Sequence, residues 1–297
     1  MNAKILQGVS SIMPKRKLAS SEYSDKVSVT TWPLIGRIHI VKDRSGQMQV
    51  GGILLYWVYG TFCTLFLVLL PQYYDQRIPA SLVICFMSVC ILCLLSLLKA
   101  SLTNPGRIPL ITEDSNIDTS DWTFCRNCNR QRPKRAHHCR RCGQCVMRMD
   151  HHCPWINNCV GEENHFAFTL LLFYSFLFGT FSVTLTYFHF WVWPKCVTCD
   201  KESFFIKHSI WFVYVLVLLG LNMAALMFLQ LLFQHFNLLL DRTTLENMQA
   251  QPSPENTTLR KVYTAYRDHC GRGSLLFWWW PCRRRIPLLQ HPFYSHV

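Results

Sequence analysis

The stretch MRMDHHCPWINNCVGEENH, residues 147 to 165, holds three histidines, two cysteines and three acids. Asp150, His151, His152 and Cys153 are consecutive. A carboxylate, an imidazole and a thiol so close together are the parts of an activated nucleophile. The imidazole takes the thiol proton, and the carboxylate holds the imidazole in one tautomer. Histidine and cysteine are equally the ligands of a structural zinc. Adjacent side chains point in different directions, so one histidine can face a metal while its neighbour faces the thiol.

The wider pattern supplies the metal reading. Of 15 cysteines in the chain, seven fall between 125 and 159. Cys125-x2-Cys128 is followed by His138-Cys139-x2-Cys142-x2-Cys145, then by His152, Cys153 and Cys159. A C-x2-C pair sets two thiolates on one knuckle, the usual start of a tetrahedral zinc site. Two such knuckles imply two zinc ions and eight ligands. Seven cysteines and the two best-placed histidines make nine, so one thiol is left over. Cys153, directly behind Asp150 and His151, is the first candidate. Spacing alone leaves Cys145 and Cys159 open.

These residues must be positioned by elements that lie in a membrane. Half of the 297 residues are hydrophobic and 14% are aromatic. The excess sits in four runs free of Asp, Glu, Lys and Arg: Gly52 to Leu70, Ile78 to Leu98, Phe166 to Trp193 and Ser209 to Leu240. About 20 apolar residues cross a ~30 Å hydrocarbon core as a helix. The expected fold is an all-α polytopic membrane protein with spans at 51–71, 78–98, 166–193 and 209–240. A small cysteine-rich domain at 99–165 separates the second and third. Of the 30 Lys and Arg, 26 lie before residue 52, between 99 and 165, or after 240. The loops at 71–77 and 194–208 share the other four. The positive-inside rule puts both termini and the 99–165 segment in the cytosol, and 194–208 in the lumen or outside.

Topology thus accounts for the net charge of +13, and a nucleic-acid partner is not expected. In the cytosol disulfides do not persist, which favours metal or catalysis for the seven cysteines. The first run starts too late and is too long for a cleaved signal peptide. Asn2 in place of glycine excludes N-myristoylation. Residues 1 to ~30, polar and rich in Ser, Thr and Lys, read as a disordered tail, followed at 31–50 by a short alternating run near the membrane surface.

CRNCNRQRPKRAHHCRRCGQCVMRMDHHCPWINNCVGEENHF, residues 125–166, resembles the cysteine-rich domain of the DHHC-type protein S-acyltransferases (palmitoyltransferases). TTLE, with Thr243, Thr244 and Glu246, is similar to that family's Thr-Thr-x-Glu motif after the last span. RIHIVKDRSG and MDHHCPWINNCVGE are also similar to a small vertebrate member.

The resemblance implies two interleaved structural zinc sites. Cys125, Cys128, His138 and Cys145 form one, and Cys139, Cys142, His152 and Cys159 the other. Cys153 is then the nucleophile, His151 its base and Asp150 the orienting partner, while His137 has no metal role. The implied co-substrate is a long-chain acyl-CoA such as palmitoyl-CoA. The implied partners are membrane-associated substrate proteins facing the cytosol, and the implied location is an endomembrane: the Golgi first, with the ER or plasma membrane as alternatives. Two features depart from the family pattern. Asn104-Pro105-Gly106 stands where the family has Asp-Pro-Gly, and asparagine can still cap that turn. AYRDHCGRG in the tail has no clear Asn.

On the third span Phe168, Leu171, Leu172, Ser175 and Phe178 fall near one face. With Trp155 at the mouth they form the expected tunnel for an acyl chain. Phe178, about ten residues or ~15 Å beyond Phe168, closes it.

Other features have plainer readings. Cys63, Cys85, Cys90 and Cys93 in apolar spans read as packing. Cys196-x2-Cys199 reads as a short-loop disulfide or two free thiols. Trp278 to Trp280 before PCRRR reads as an interfacial belt, with Cys282 open to S-acylation. Ser295-His296-Val297 fits a PDZ-domain ligand. A membrane-anchored zinc adaptor without turnover explains the spans and knuckles but not the spare thiol beside Asp150 and His151. An ion or proton path is disfavoured by spans that contain no Asp, Glu, Lys or Arg.

Overall fold

In hydrocarbon a backbone N–H or C=O has no water to bond, so a single apolar segment satisfies itself only as a helix. The computed structural model describes residues 26–32, 36–108, 121–197, 204–249, 259–270 and 280. Among these the four apolar runs become four helices long and apolar enough to span a membrane. They are α1 (Arg44–Tyr74), α2 (Ala80–Leu102), α3 (His165–Trp191) and α4 (Ser209–Leu239). The first begins seven residues ahead of the expected 51, because the Asp43 side chain accepts from Ser45 N and caps it. Pro71 has no N–H to return to the preceding turn, and just before it α1 widens into a π-helical stretch, Cys63–Leu69.

The most buried of the four is α3. A Cβ on its Gly179 would lie 2.9 Å from Gly220 O of α4. The two backbones therefore approach closely where neither carries a side chain. At the far end of the bundle, Arg77 donates to Lys195 O (3.1 Å) and Gln72 Nε2 to Pro194 O (3.1 Å), tying the two short loops together. Cys196 in that loop is disulfide-bonded. Cys199 lies outside the described residues.

The polar segments fold into four antiparallel two-stranded hairpins. They are β1–β2 (Val27–Trp32, Gly36–Val41), β3–β4 (Thr123–Cys125, Arg130–Arg132), β5–β6 (His137–Cys139, Gln144–Val146) and β7–β8 (His151–Cys153, Asn158–Val160). The last three each turn through one left-handed residue: Asn129, Gly143 and Asn157, at φ 52, 65 and 49. Asparagine and glycine are the residues that tolerate this conformation.

The first hairpin corrects a sequence expectation. Val27 to Trp32 is a strand, so the disordered tail expected to residue ~30 does not hold from Val27 on, and β2 lies within the alternating run expected at 31–50. Val27 and Val41 are buried against Cys139, Cys142, Val146, Met149 and Cys159. That cover supplies the hydrophobic reason for the strand to form. After α4 come two short helices, α5 (Thr244–Met248) and the amphipathic α6 (Leu259–Cys270). Residues 278, 279, 282 and 295–297, with their interfacial, acylation and PDZ expectations, lie outside the described residues.

Candidate active site and metal centres

Strand alternation separates the two histidines of the motif. On β7, His151 and Cys153 are two residues apart and share a face, while His152 between them points to the other. Register completes the arrangement: His152 pairs with Cys159 across β7–β8, and His138 with Cys145 across β5–β6.

Donor atoms gather in two groups, Cys125, Cys128, His138, Cys145 and Cys139, Cys142, His152, Cys159, with all ligand atoms in each within 4.8 Å of one another. Tetrahedral zinc with Zn–S of about 2.3 Å and Zn–N of about 2.0 Å requires S···S and S···N edges of about 3.8 and 3.5 Å. In the first group Cys128 Sγ is 3.1 Å from His138 Nδ1 and 3.6 Å from Cys145 Sγ. In the second, His152 Nδ1 is 3.6, 3.3 and 3.8 Å from the sulfurs of Cys139, Cys142 and Cys159. Four soft or borderline donors at these separations fit zinc in both places. His137 stands outside both groups, and burial together with Arg132 pushes its imidazole pKa down.

On the opposite face of β7, Asp150 is the hub. Its side chain is fully buried. Oδ1 accepts from Thr244 N at 2.6 Å. Oδ2 accepts from His151 Nδ1 at 2.7 Å, Thr244 Oγ1 at 2.9 Å and Gln234 Nε2 at 3.0 Å. Burial alone would raise this carboxyl. The His151 hydrogen bond, the neighbouring imidazoles and the Thr244 N–H instead hold it well below the usual carboxylate range. With Nδ1 donating to Asp150, the other ring nitrogen of His151 is left for Cys153, which shares its face of β7. Burial pushes His151 down, but the hydrogen bond to Asp150 and the proximity of Asp150 and Cys153 outweigh it and lift the imidazole to about 9. Its ring rests edge-on against Phe168, 5.3 Å between centroids.

Thr244 belongs to a tail segment that is itself fastened down. Thr243 and Glu246 form a capping box at the start of α5. Arg135 then grips Glu246 with both prongs, Nε to Oε1 at 2.6 Å and Nη2 to Oε2 at 2.9 Å. Burial would raise Glu246; Arg135 brings it below the ordinary glutamate value. Arg148 and Arg135 also contact Asp241.

Below Cys153 opens a cavity of about 480 Å³ between the helices. Trp155, Phe168, Leu171, Leu172, Ser175 and Phe178 all line it, with His151 and Cys153 at one end. Trp155 on its lining is 57% exposed and Phe178 only 2%. Cys93, read from sequence as packing, also forms part of the wall and meets Ser175 Oγ at 3.5 Å.

Several supporting residues escaped the sequence reading. Asn158 Nδ2 reaches Ala100, Ser101 and Thr103 carbonyls at 2.9–3.2 Å, satisfying the open end of α2. Asn164 Nδ2 bonds Ala100 O and Cys159 O at 3.0 and 2.8 Å. Asn157 Nδ2 holds Val41 O at 2.9 Å, and its side chain fills the space where a Cβ on Gly46 would lie. The Asn104 side chain caps its turn as expected, accepting from Arg107 N at 2.9 Å. Gln234 and Arg135 gave no sequence signal: one is a lone amide in an apolar run, the other one arginine among many.

Comparison with known proteins gives a consistent picture. The family model for DHHC palmitoyltransferase matches residues 118–251. Palmitoyltransferase ZDHHC21 of Bos taurus is 35% identical over 266 residues, covering 88% of this chain and 99% of that protein. The protein of that name from Homo sapiens is 35% identical over 266 residues with the same coverage. The one from Danio rerio is 37% identical over 262 residues, again 88% and 99%.

Proposed function

We infer the role of each residue from one premise: this chain belongs to the DHHC palmitoyltransferase family. It is a protein S-acyltransferase. Cys153 attacks the thioester carbonyl of a long-chain acyl-CoA; a new C–S bond forms, the CoA–sulfur bond breaks, and the leaving CoA thiolate takes the proton that His151 held. In the second half a substrate cysteine gives its proton to His151, attacks the acyl-enzyme and receives the acyl group, while Cys153 departs as thiolate. Asp150 stays ionised throughout. It fixes the His151 tautomer and stabilises the imidazolium.

The observation that carries this reading is the Asp150–His151 pair beside Cys153, with His151 and Cys153 both lining an apolar cavity. A thiol at the head of such a cavity can hold an acyl tail out of water while CoA stays in it. The cavity is read as the acyl tunnel, with Phe178 at its floor. Zinc is the resident metal of the two Cys/His groups. All eight donors are protein groups, so each ion would be closed to substrate and would stabilise the fold rather than act as a Lewis acid.

The chain is a membrane protein. Its N-terminal hairpin and its tail both touch the cysteine-rich segment, through Asn157–Val41 and Arg135–Glu246, which supports the three lying on one side of the bilayer. With the charge distribution, that side is read as the cytosol, and the compartment as an endomembrane, the Golgi first. Partners are acyl-CoA and cysteine-bearing substrate proteins at that face.

The test is acyl label on detergent-purified protein incubated with palmitoyl-CoA. Label should form, be released by hydroxylamine, and vanish in Cys153→Ser. A folded, zinc-loaded wild-type protein that takes no label would instead fit the adaptor reading.

A further inference from the structure

Gln234 lies near the end of α4 and is 3% exposed. Its Nε2 donates to Asp150 Oδ2 at 3.0 Å, and its Oε1 accepts from His165 Nε2 at 2.8 Å. We propose that Gln234 is a positioning residue for acyl transfer, fixing the Asp150 carboxylate against His151 from the membrane helix α4. This rests on the reading of Asp150, His151 and Cys153 as the transfer machinery.

Polarity leaves the amide one orientation. An ionised carboxylate only accepts, so the NH2 group must face Asp150. The carbonyl is then turned to His165, which must donate from Nε2. His165 thereby anchors the amide from the start of α3. Packing alone would not select this residue, since a buried amide costs free energy unless both its ends are bonded. No other side chain of this length does both jobs here. Glutamate keeps the acceptor for His165 but cannot donate to Asp150 when ionised, methionine does neither, and lysine cannot accept.

The position on Oδ2 gives the mechanism. That oxygen also receives His151 Nδ1 at 2.7 Å and Thr244 Oγ1 at 2.9 Å. Thr244 binds from the tail and Gln234 from the bundle, so the carboxylate is held from two elements outside the cysteine-rich domain. Without the amide the carboxylate is held outside the cysteine-rich domain by Thr244 alone, and the direction in which it presents Oδ2 to His151 loosens. Hydrogen bonds to charged groups contribute enough that losing one should slow the chemical step about ten- to hundred-fold.

The experiment uses full-length, detergent-purified protein with zinc content and melting measured for each variant. Gln234→Met keeps the volume and loses both bonds. Gln234→Glu keeps the bond to His165 and loses the one to Asp150. Single-turnover formation of the acyl-enzyme from palmitoyl-CoA gives the maximal rate and the half-saturating concentration. Both variants should keep two zinc ions and the wild-type half-saturating concentration, with the maximal rate down about ten- to hundred-fold. Added to His151→Ala, Gln234→Met should cost less than about two-fold more, because it acts only through that imidazole. A role in packing would lower melting and multiply with His151→Ala. That result, or a Gln234→Met variant within two-fold of wild type, overturns the proposal. A wild-type protein with no Cys153-dependent acyl-enzyme overturns the acyl-transfer reading itself. Normal wild-type label with unaltered Gln234 variants overturns this inference alone.

Discussion

Phe178→Ala should shift the enzyme toward longer acyl chains. Phe178 is 2% exposed and lines the cavity from α3. Its ring sits 6.0 Å from Tyr56 and 6.1 Å from Phe86, centroid to centroid, and a Cβ on Gly60 would lie 2.7 Å from its tip. Neighbours so tightly placed have nowhere to collapse, so removing the ring extends the cavity rather than closing it. Room for two more methylenes at ~0.8 kcal/mol each is ~1.6 kcal/mol, or roughly fifteen-fold in preference for the longer chain. The same truncation should cost about 3–5 kcal/mol of stability in the unliganded protein, part of which a bound C18 or C20 chain restores. The assay is competitive acyl-enzyme formation from C14 to C20 acyl-CoAs, read by mass spectrometry of the Cys153 peptide. Melting with and without each acyl-CoA accompanies it. A folded variant whose chain profile is unchanged across C14 to C20 refutes the assignment of this cavity to the acyl tail.

Two further outcomes follow from the geometry. His152 and His151 are neighbours on opposite faces of β7, so their variants should fail differently. His152→Ala, like Cys128→Ser, should lose about one zinc and melt lower. His151→Ala should keep both ions and lose ~10²–10⁴-fold in acyl-enzyme formation, and plasma mass spectrometry decides whether the histidine roles are reversed. For Glu246, the carboxyl in the folded protein lies below the ordinary glutamate value of 4.5. Its contribution is therefore present above about pH 4.5 and is lost as pH falls through the folded value. Wild type should out-melt Glu246→Gln at pH 6, and the gap should shrink toward pH 3.5; a gap that widens on acidification would contradict the Arg135 grip.

The apolar runs were legible because each satisfies its own backbone, and no distant contact is needed to make Ser209 to Leu239 a helix. The nine metal-donor candidates were legible by count, but their sorting into two groups needed what spacing does not contain. That was the pairing of His152 with Cys159, and the alternation that turns His151 away from both groups. The first strand of the β1–β2 hairpin was missed because the pair is held by burial of Val27 and Val41 on Cys139, Cys142 and Cys159, about a hundred residues ahead. Its alternation, VSVTTW, was there to be read. Gln234 could not be read at all. An amide in an apolar run looks the same whether it faces lipid or a carboxylate, and only the fold brings Asp150 to it.

The hold on Asp150 also fixes when the enzyme can first work. Its partners Gln234 and Thr244 stand 84 and 94 residues further along the chain. A ribosome that has just finished Cys153 has made the thiol, both knuckles and most of the metal donors, yet must still deliver two membrane helices before the carboxylate is seated. During that interval the nascent chain carries a nucleophile with an undirected base. Seating the carboxylate therefore depends on residues made only at the end of the last span and just after it.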